Sequence, residues 1–344
     1  MANILINRND LPILIENFSK ENNTFKIINF YPKKGNSNGF TCKFILDGKK
    51  CLLDIFYKQK ETKIVPVGKN IETTNLLIEY IKKHSLNPDI EGKQLTFETS
   101  QNFCEKMKDY FITAYPDLVS INQKENLFIF IGYNQDQVNI HQYKNKILIQ
   151  GKPLSVYSLI MNYIAENTSI NLKDFSNDLC NNMSVNTPFS MVRKNMENML
   201  GLAYDYIDEP LKKTLSSSII MLKKYKYDFI EDYSGCVTGA FKTLEGYLKK
   251  ILKYKFDYQF PHNSFELFDS STWTIKPKYI NCSAKEEKLL CSLYKIYKNK
   301  RNIYLHSKIN PSTTPIIASY YDAESIFNEI VNIIKNSYNV FMGV

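Results

Sequence analysis

Residues 59–81, QKETKIVPVGKNIETTNLLIEYI, and residues 142–164, QYKNKILIQGKPLSVYSLIMNYI, are one pattern written twice. Sliding the chain 83 positions along itself places Gln59, Lys63, Ile64, Gly68, Lys69, Leu76, Tyr80 and Ile81 on Gln142, Lys146, Ile147, Gly151, Lys152, Leu159, Tyr163 and Ile164. Each copy reads as a strand, a Gly-Lys turn at which glycine relieves backbone strain, and a helix. Shared architecture explains these matches better than chance, so the chain carries two copies of one small α+β module. Neither copy contains G-x-x-x-x-G-K-[ST] or G-x-G-x-x-G, and the repeated residues read as turn and core positions rather than a phosphate loop.

Working outward, the first copy is preceded by a helix from Asp10 to about Lys20 and by strand-like runs TFKIINFY, GFTCKFIL and KCLLDIFY, with the hairpin loop KKGNSNG between the first two. The strand TKIVPV and a helix from Glu72 to about His84 close it. The second copy has a helix near 99–113, strands ENLFIFIG, QVNIHQY and KILIQG, and a helix from Leu154 to about Glu166. After Asn167 strand signals vanish, and the segments 187–206, 209–226, 228–254, 283–307 and 321–341 read as helices. Phe241, Leu244, Leu248 and Ile251 recur at three- and four-residue steps, the mark of a packed face. Ser283 and Glu286 form a capping-box pattern. From there Leu290, Tyr294, Tyr297, Arg301 and Tyr304 make one stripe. The link from Phe256 to Cys282 holds the sole tryptophan, Trp273, and is aromatic enough to pack over the helices. The expected fold class is therefore α+β, with modules at 1–88 and 89–185 followed by an all-α bundle at 186–344.

The 344 residues can bury a sizeable core. No apolar run approaches the roughly eighteen residues of a membrane span, and MANILINRNDLP lacks the features of a secretory signal. Cys42, Cys51, Cys104, Cys180, Cys236, Cys282 and Cys291 are widely spread without a C-x-x-C pair. That pattern argues against a disulfide framework and a zinc site, and for a reduced, cytoplasmic protein. The net charge is +9, and from residue 186 onward 22 Lys plus Arg face 16 Asp plus Glu. A basic C-terminal half suits a polyanionic partner such as RNA; the competing explanation is a lysine-rich composition bias.

Residues 298–307, KNKRNIYLHS, carry the best candidate chemistry. RNA supplies its own nucleophile, the 2′-hydroxyl, so a protein that cleaves it needs to move protons and neutralise phosphate charge. Histidine suits the first task and arginine the second. Arg301 and His306 have those residue types, but five positions separate their side chains by about 140° on an ideal helix. Asn302 and His306, four apart, share a face. A helix end near His306, which Pro311 favours, or a second copy of the chain would reconcile the pair. Glu245 borders the apolar face of its helix, where an unpaired carboxylate is costly. It either pairs structurally, with Lys242, Lys249 or a neighbouring helix, or orients His306 or Arg301. His84, His141 and His262 read as structural or surface residues, and Tyr294 and Tyr297 as core.

An R-N-x-x-x-H motif near a helix end in a C-terminal bundle resembles the HEPN ribonucleases. Together with EDYSGCVTGAFKTLEGYLKKIL at 231–252 and the two preceding repeats, essentially the whole chain resembles the RNase LS toxin family, the RnlA/LsoA type of toxin–antitoxin systems. The resemblance implies two tandem TATA-binding-protein-like (TBP-like) repeats and a C-terminal HEPN helical bundle. It implies metal-independent, cofactor-free endoribonuclease cleavage of mRNA, homodimerisation through the helical domain, control by a cognate antitoxin protein and a role in phage defence. The family's motif Arg and His fall on Arg301 and His306, and its helix glutamate on Glu245. Where the family can carry an arginine one turn earlier, this chain has Lys242, which keeps the charge without the bidentate fork. Asn302 and Tyr304 join Lys242 as supporting or RNA-binding candidates. A non-catalytic RNA- or protein-binding module on a HEPN scaffold is the alternative reading. A metal-dependent nuclease is disfavoured for want of a carboxylate or histidine cluster.

Overall fold

The computed structural model describes residues 2–6, 10–33, 38–58, 61–85, 94–133, 135–226, 232–260, 265–276, 278–301 and 317–343, with Asp10 and Arg301 described by their backbone. The first unit runs β1 (Ala2–Ile4), α1 (Asp10–Glu21), β2 (Lys26–Pro32), β3 (Gly39–Leu46), β4 (Lys49–Tyr57), β5 (Thr62–Val67) and α2 (Ile71–Lys83). Its sheet has the order β1-β5-β4-β3-β2, and every pairing is antiparallel. Alternation along β3 and β4 sends Cys42, Phe44, Leu46, Cys51, Leu53 and Ile55 to one face. There they meet Leu11, Ile15 and Phe18 of α1 and Leu77, Ile78 and Ile81 of α2 in a closed core. The β3–β4 turn is the two-residue pair Asp47 and Gly48, with φ of 52° and 74°, the left-handed geometry that hairpins of this length favour.

The second unit repeats this path: β6 (Leu95–Glu98), α3 (Phe103–Ala114), β7 (Val119–Lys124), β8 (Leu127–Gly132), β9 (Gln137–Gln142), β10 (Lys146–Gly151) and α4 (Ser155–Asn167). Its sheet order, β6-β10-β9-β8-β7, is that of the first unit shifted by one set. Within these two units three strands escape the sequence reading: β1 and β6 are only three and four residues long, and β7, VSINQK, is polar. The paired turn glycines also differ from expectation. Gly68 has φ of 91°, the left-handed region where glycine is needed, but Gly151 does not. A Cβ at Gly151 would lie 2.8 Å from Val138 Cγ2, so close packing explains the second glycine, whereas backbone geometry explains the first.

The remainder is helical: α5 (Leu172–Asn182), α6 (Phe189–Leu200), α7 (Ala203–Tyr206), α8 (Glu209–Tyr225), α9 (Ser234–Phe256), α10 (Ala284–Ile296) and α11 (Tyr320–Met342). A two-residue strand pair, β11 (Phe268–Asp269) with β12 (Thr274–Ile275), interrupts it. Helix α5 was not expected; the Asn171 side chain caps it by accepting from the Asp174 amide at 2.9 Å. The single helix expected over 187–206 is broken at Gly201, whose φ is 56°. The helix expected over 283–307 opens with the full Ser283–Glu286 capping box, but its α-helical part ends at Ile296 and passes into a π-helical turn, Tyr297–Arg301. The aromatic link does pack: Phe268 stacks on Tyr294 with centroids 4.2 Å apart and planes 8° from parallel.

One continuous core runs from the second sheet through the helical half, separate from that of the first unit. The chain is thus α+β with a helical C-terminal region. Among the described residues no helix is long and apolar enough to cross a membrane. All seven cysteines are free thiols.

Candidate active site

Helix α9 is the platform. Its inner face buries Phe241, Leu244, Leu248 and Ile251 almost completely. It crosses α8 closely because glycine faces the contact: a Cβ at Gly239 would lie 2.0 Å from the Thr214 carbonyl oxygen, and one at Gly246 would lie 2.4 Å from Leu211 Cδ2. In the same crossing the Ser218 hydroxyl accepts from the Ala240 amide at 3.0 Å, and the Thr243 hydroxyl donates to the Leu211 carbonyl at 3.1 Å. Lys250 adds a bond to the Tyr206 carbonyl at 2.6 Å, and Lys255 an ion pair with Glu286 at 3.0 Å. This helix is therefore rigidly placed before any functional group is considered.

Lys242, Glu245 and Lys249 share the outer face, at the three- and four-residue steps that bring helix side chains together. Lys249 Nζ donates to Glu245 Oε1 at 2.8 Å. Lys242 Nζ lies 3.7 Å from Glu166 Oε2, at the end of α4, and 5.4 Å from the centre of the Tyr110 ring on α3. Four charges thus alternate in sign along a row, Glu166, Lys242, Glu245 and Lys249. Burial raises the Glu166 carboxyl above its ordinary range, with Lys242 opposing. Burial alone would lower the Lys242 ammonium. Glu166, and after it Tyr110, Tyr115 and Glu245, reverse that and hold it well above the usual lysine value. Lys242 is therefore a permanent cation near neutral pH, suited to stabilising phosphate charge and unsuited to proton transfer.

The π-helical turn packs against α9, and an aromatic path links it to the Lys249 end of this row. Lys249 Nζ sits 5.8 Å over the Phe265 ring, which in turn lies 5.3 Å from the ring of Tyr297. Lys300 pairs with Glu329 of α11 and ties the turn down from its other side. Such single π-turns inside helices occur often at functional sites. The turn ends at the Arg301 backbone; Asn302, Tyr304 and His306 lie outside the described residues, as does His262. Of the remaining histidines, His84 Nδ1 is 2.8 Å from the Tyr80 carbonyl, and His141 stands in the middle of the second sheet, paired with Leu148 and Leu127. Among the described residues no three His, Cys, Asp or Glu side chains gather as a metal site would require.

Glu166 is the member of the row that the sequence reading left out. One signal was available: a carboxylate in the last turn of a helix opposes the helix dipole and calls for a cation from elsewhere.

Two family models match the chain: one described as "RNase LS, bacterial toxin" over residues 60–169, the other as "RNase LS, bacterial toxin DBD domain" over residues 189–308. The chain belongs to the RNase LS bacterial toxin family. Lys242, Glu245, Arg301 and His306 lie in the stretch matched by the second model and Glu166 in that matched by the first, so the Glu166–Lys242 pair joins the two. The chain is also similar to the mRNA endoribonuclease LsoA of Escherichia coli O157:H7, with 27% identity over an alignment of 250 residues, covering 69% of this chain and 70% of the relative. Among solved structures it is similar to the Escherichia coli toxin LsoA in complex with the T4 phage antitoxin Dmd. That match has 20% identity and a TM-score of 0.44, and covers 72% of this chain and 99% of that one.

Proposed function

We propose that this member of the family is a toxin endoribonuclease that cleaves mRNA without a metal ion, through a C-terminal HEPN domain. The observation that carries the reading is the charged row Lys242, Glu245 and Lys249 on α9, a helix that packs against the π-helical turn ending at Arg301. In the proposed reaction the RNA 2′-hydroxyl oxygen attacks the adjacent phosphorus, and its proton passes to a base. The P–O5′ bond breaks, and the 5′-oxygen leaves with a proton. The products are a 2′,3′-cyclic phosphate and a 5′-hydroxyl; addition of water across the P–O2′ bond in a second step would convert the cyclic ester to a 3′-phosphate. His306 serves as general acid/base, Arg301 stabilises the charge on the pentacoordinate phosphorus, and Glu245 positions them. Asn302, Tyr304 and Lys242 act as polar and cationic supports.

The resemblance also supports a cytoplasmic homodimer joined through the helical domain, held in check by a cognate antitoxin and acting in phage defence. Residues 1–88 and 89–185 are proposed as TBP-like modules and 186–344 as the HEPN domain. Replacing His306 with alanine should lower RNA cleavage by about 10²–10⁴ if it transfers protons, and wild-type activity should persist in EDTA. Undiminished cleavage by a folded His306→Ala protein would falsify the assignment. RNA binding without cleavage at any pH would favour a non-catalytic module instead.

A further inference from the structure

We propose that Glu166 is a positioning residue of the ribonuclease site, acting through Lys242, so that the second sheet unit is a working part of that site. The proposal rests on the ribonuclease reading above and adds to it a residue on a different element from those that carry the motif.

Lysine is a point charge on a flexible four-carbon stem, and left to itself it does not aim. Here it is enclosed, with 14% of its side-chain surface exposed and its Nζ between the Glu166 carboxylate at 3.7 Å and the face of Tyr110 at 5.4 Å. Both partners come from the second unit. Tyr110 is itself fixed by Tyr163 of α4, with ring centroids 5.1 Å apart, and Tyr163 by Phe103 at 5.5 Å. Glu245, three residues along α9, supplies the carboxylate on the same helix. The direction of the Lys242 ammonium is thus set by residues more than seventy positions away in sequence and anchored in the second core. Glu166 has no favourable local role: it is an acid at the end of α4, against the helix dipole, with 26% of its side chain exposed. Lys242 is the cation that compensates it.

The test is a double-mutant cycle on the full chain. Glu166→Gln removes the charge and keeps the size. It should lower kcat on RNA by about tenfold or more and leave KM within about twofold, because an aimed cation acts on the transition state. Glu166→Asp should restore part of the loss. In a Lys242→Met background, with residual cleavage followed at enzyme excess, adding Glu166→Gln should cost less than about twofold, since nothing is left to aim. If Glu166→Gln does not fold, as judged by its thermal unfolding transition, the cycle is run with Glu166→Asp, which should cost about threefold beside Lys242 and nothing beside Met. Equal losses in both backgrounds, or an active wild type with an undiminished Glu166→Gln variant, would overturn the Glu166 assignment alone. A wild type that leaves RNA intact would overturn the ribonuclease reading and the positioning role with it.

Discussion

The two sheet units trace the same strand order, yet one is closed and the other is half of something larger. Helix α2, IETTNLLIEYIKK, buries Thr73, Thr74, Leu77, Ile78 and Ile81 against its own sheet and turns its charged residues outward. Helix α4, SVYSLIMNYIAEN, buries every residue from Val156 to Ala165. A helix that is apolar all round needs cover on both sides, and α8 supplies the second side for α4. There Ser217 donates to Asn162 Oδ1 at 2.9 Å, the Ser158 hydroxyl meets Met221 Sδ at 3.1 Å, and Tyr225 donates to the Pro153 carbonyl. The β3–β4 and β8–β9 connections differ in the same way. Asp47 in the first is exposed and bonded to Thr24, whereas Asp136 in the second is buried and accepts from the Val156 amide at the start of α4. Duplication thus produced one self-contained unit and one wall for the helices that carry the candidate site.

Core damage should therefore travel differently in the two units. Ile78→Ala and Ile160→Ala each remove a buried side chain and should cost about 2–5 kcal/mol. In calorimetry the Ile160 variant should destabilise the second unit and the helical half together, and the Ile78 variant should leave that transition in place. Equal displacement of all transitions by both variants would break the comparison.

A second difference lies in pH. Burial, aided by Asp232, pushes the Asp136 carboxyl up to about 6 against an ordinary 3.8. The sign follows directly: between about pH 4 and 6 the folded carboxyl holds a proton that the unfolded one has lost. Stability should therefore fall as pH rises through that window, by on the order of 2–3 kcal/mol from this group. Asp136→Asn should flatten that slope in unfolding curves measured from pH 4 to 7.

The smallest expected effect concerns the seam itself. Lys213 of α8 is buried and donates to the Thr168 and Ile170 carbonyls just beyond α4, at 3.1 and 3.0 Å. Lys213→Met keeps the stem but orphans both acceptors and should cost about 1–3 kcal/mol in denaturant unfolding. An unchanged midpoint would mean that the seam is not held there.

Much of this was legible in the residues. Two-residue alternation in β3, β4, β8 and β9, the Ser283 capping box and the apolar steps of α9 all express themselves within a few positions. So did the placing of Glu245 at the border of an apolar face, where it accepts from Lys249. Short or polar strands such as β1, β6 and β7 carried too little pattern to be seen. The π-helical turn at Tyr297–Arg301 was hidden for a different reason, because a 3.6-residue period continues through the sequence while the backbone adds a residue to one turn. Glu166 stayed out of the candidate site because its place in the last turn of α4 signals only the need for a cation, while the cation that answers it, Lys242, lies on a distant segment.

What the sequence determined by itself was the longer and more regular elements, their duplication and the residue types able to do phosphate chemistry, since periodicity, turn chemistry and side-chain pKa are properties of short stretches. Tertiary structure alone decided that α4 would be buried on both sides and that a carboxylate at its end would meet Lys242 on α9. Those outcomes depend on which surfaces the folded chain brings together, and burial in a shared core is what gives a distant charge its hold on the site.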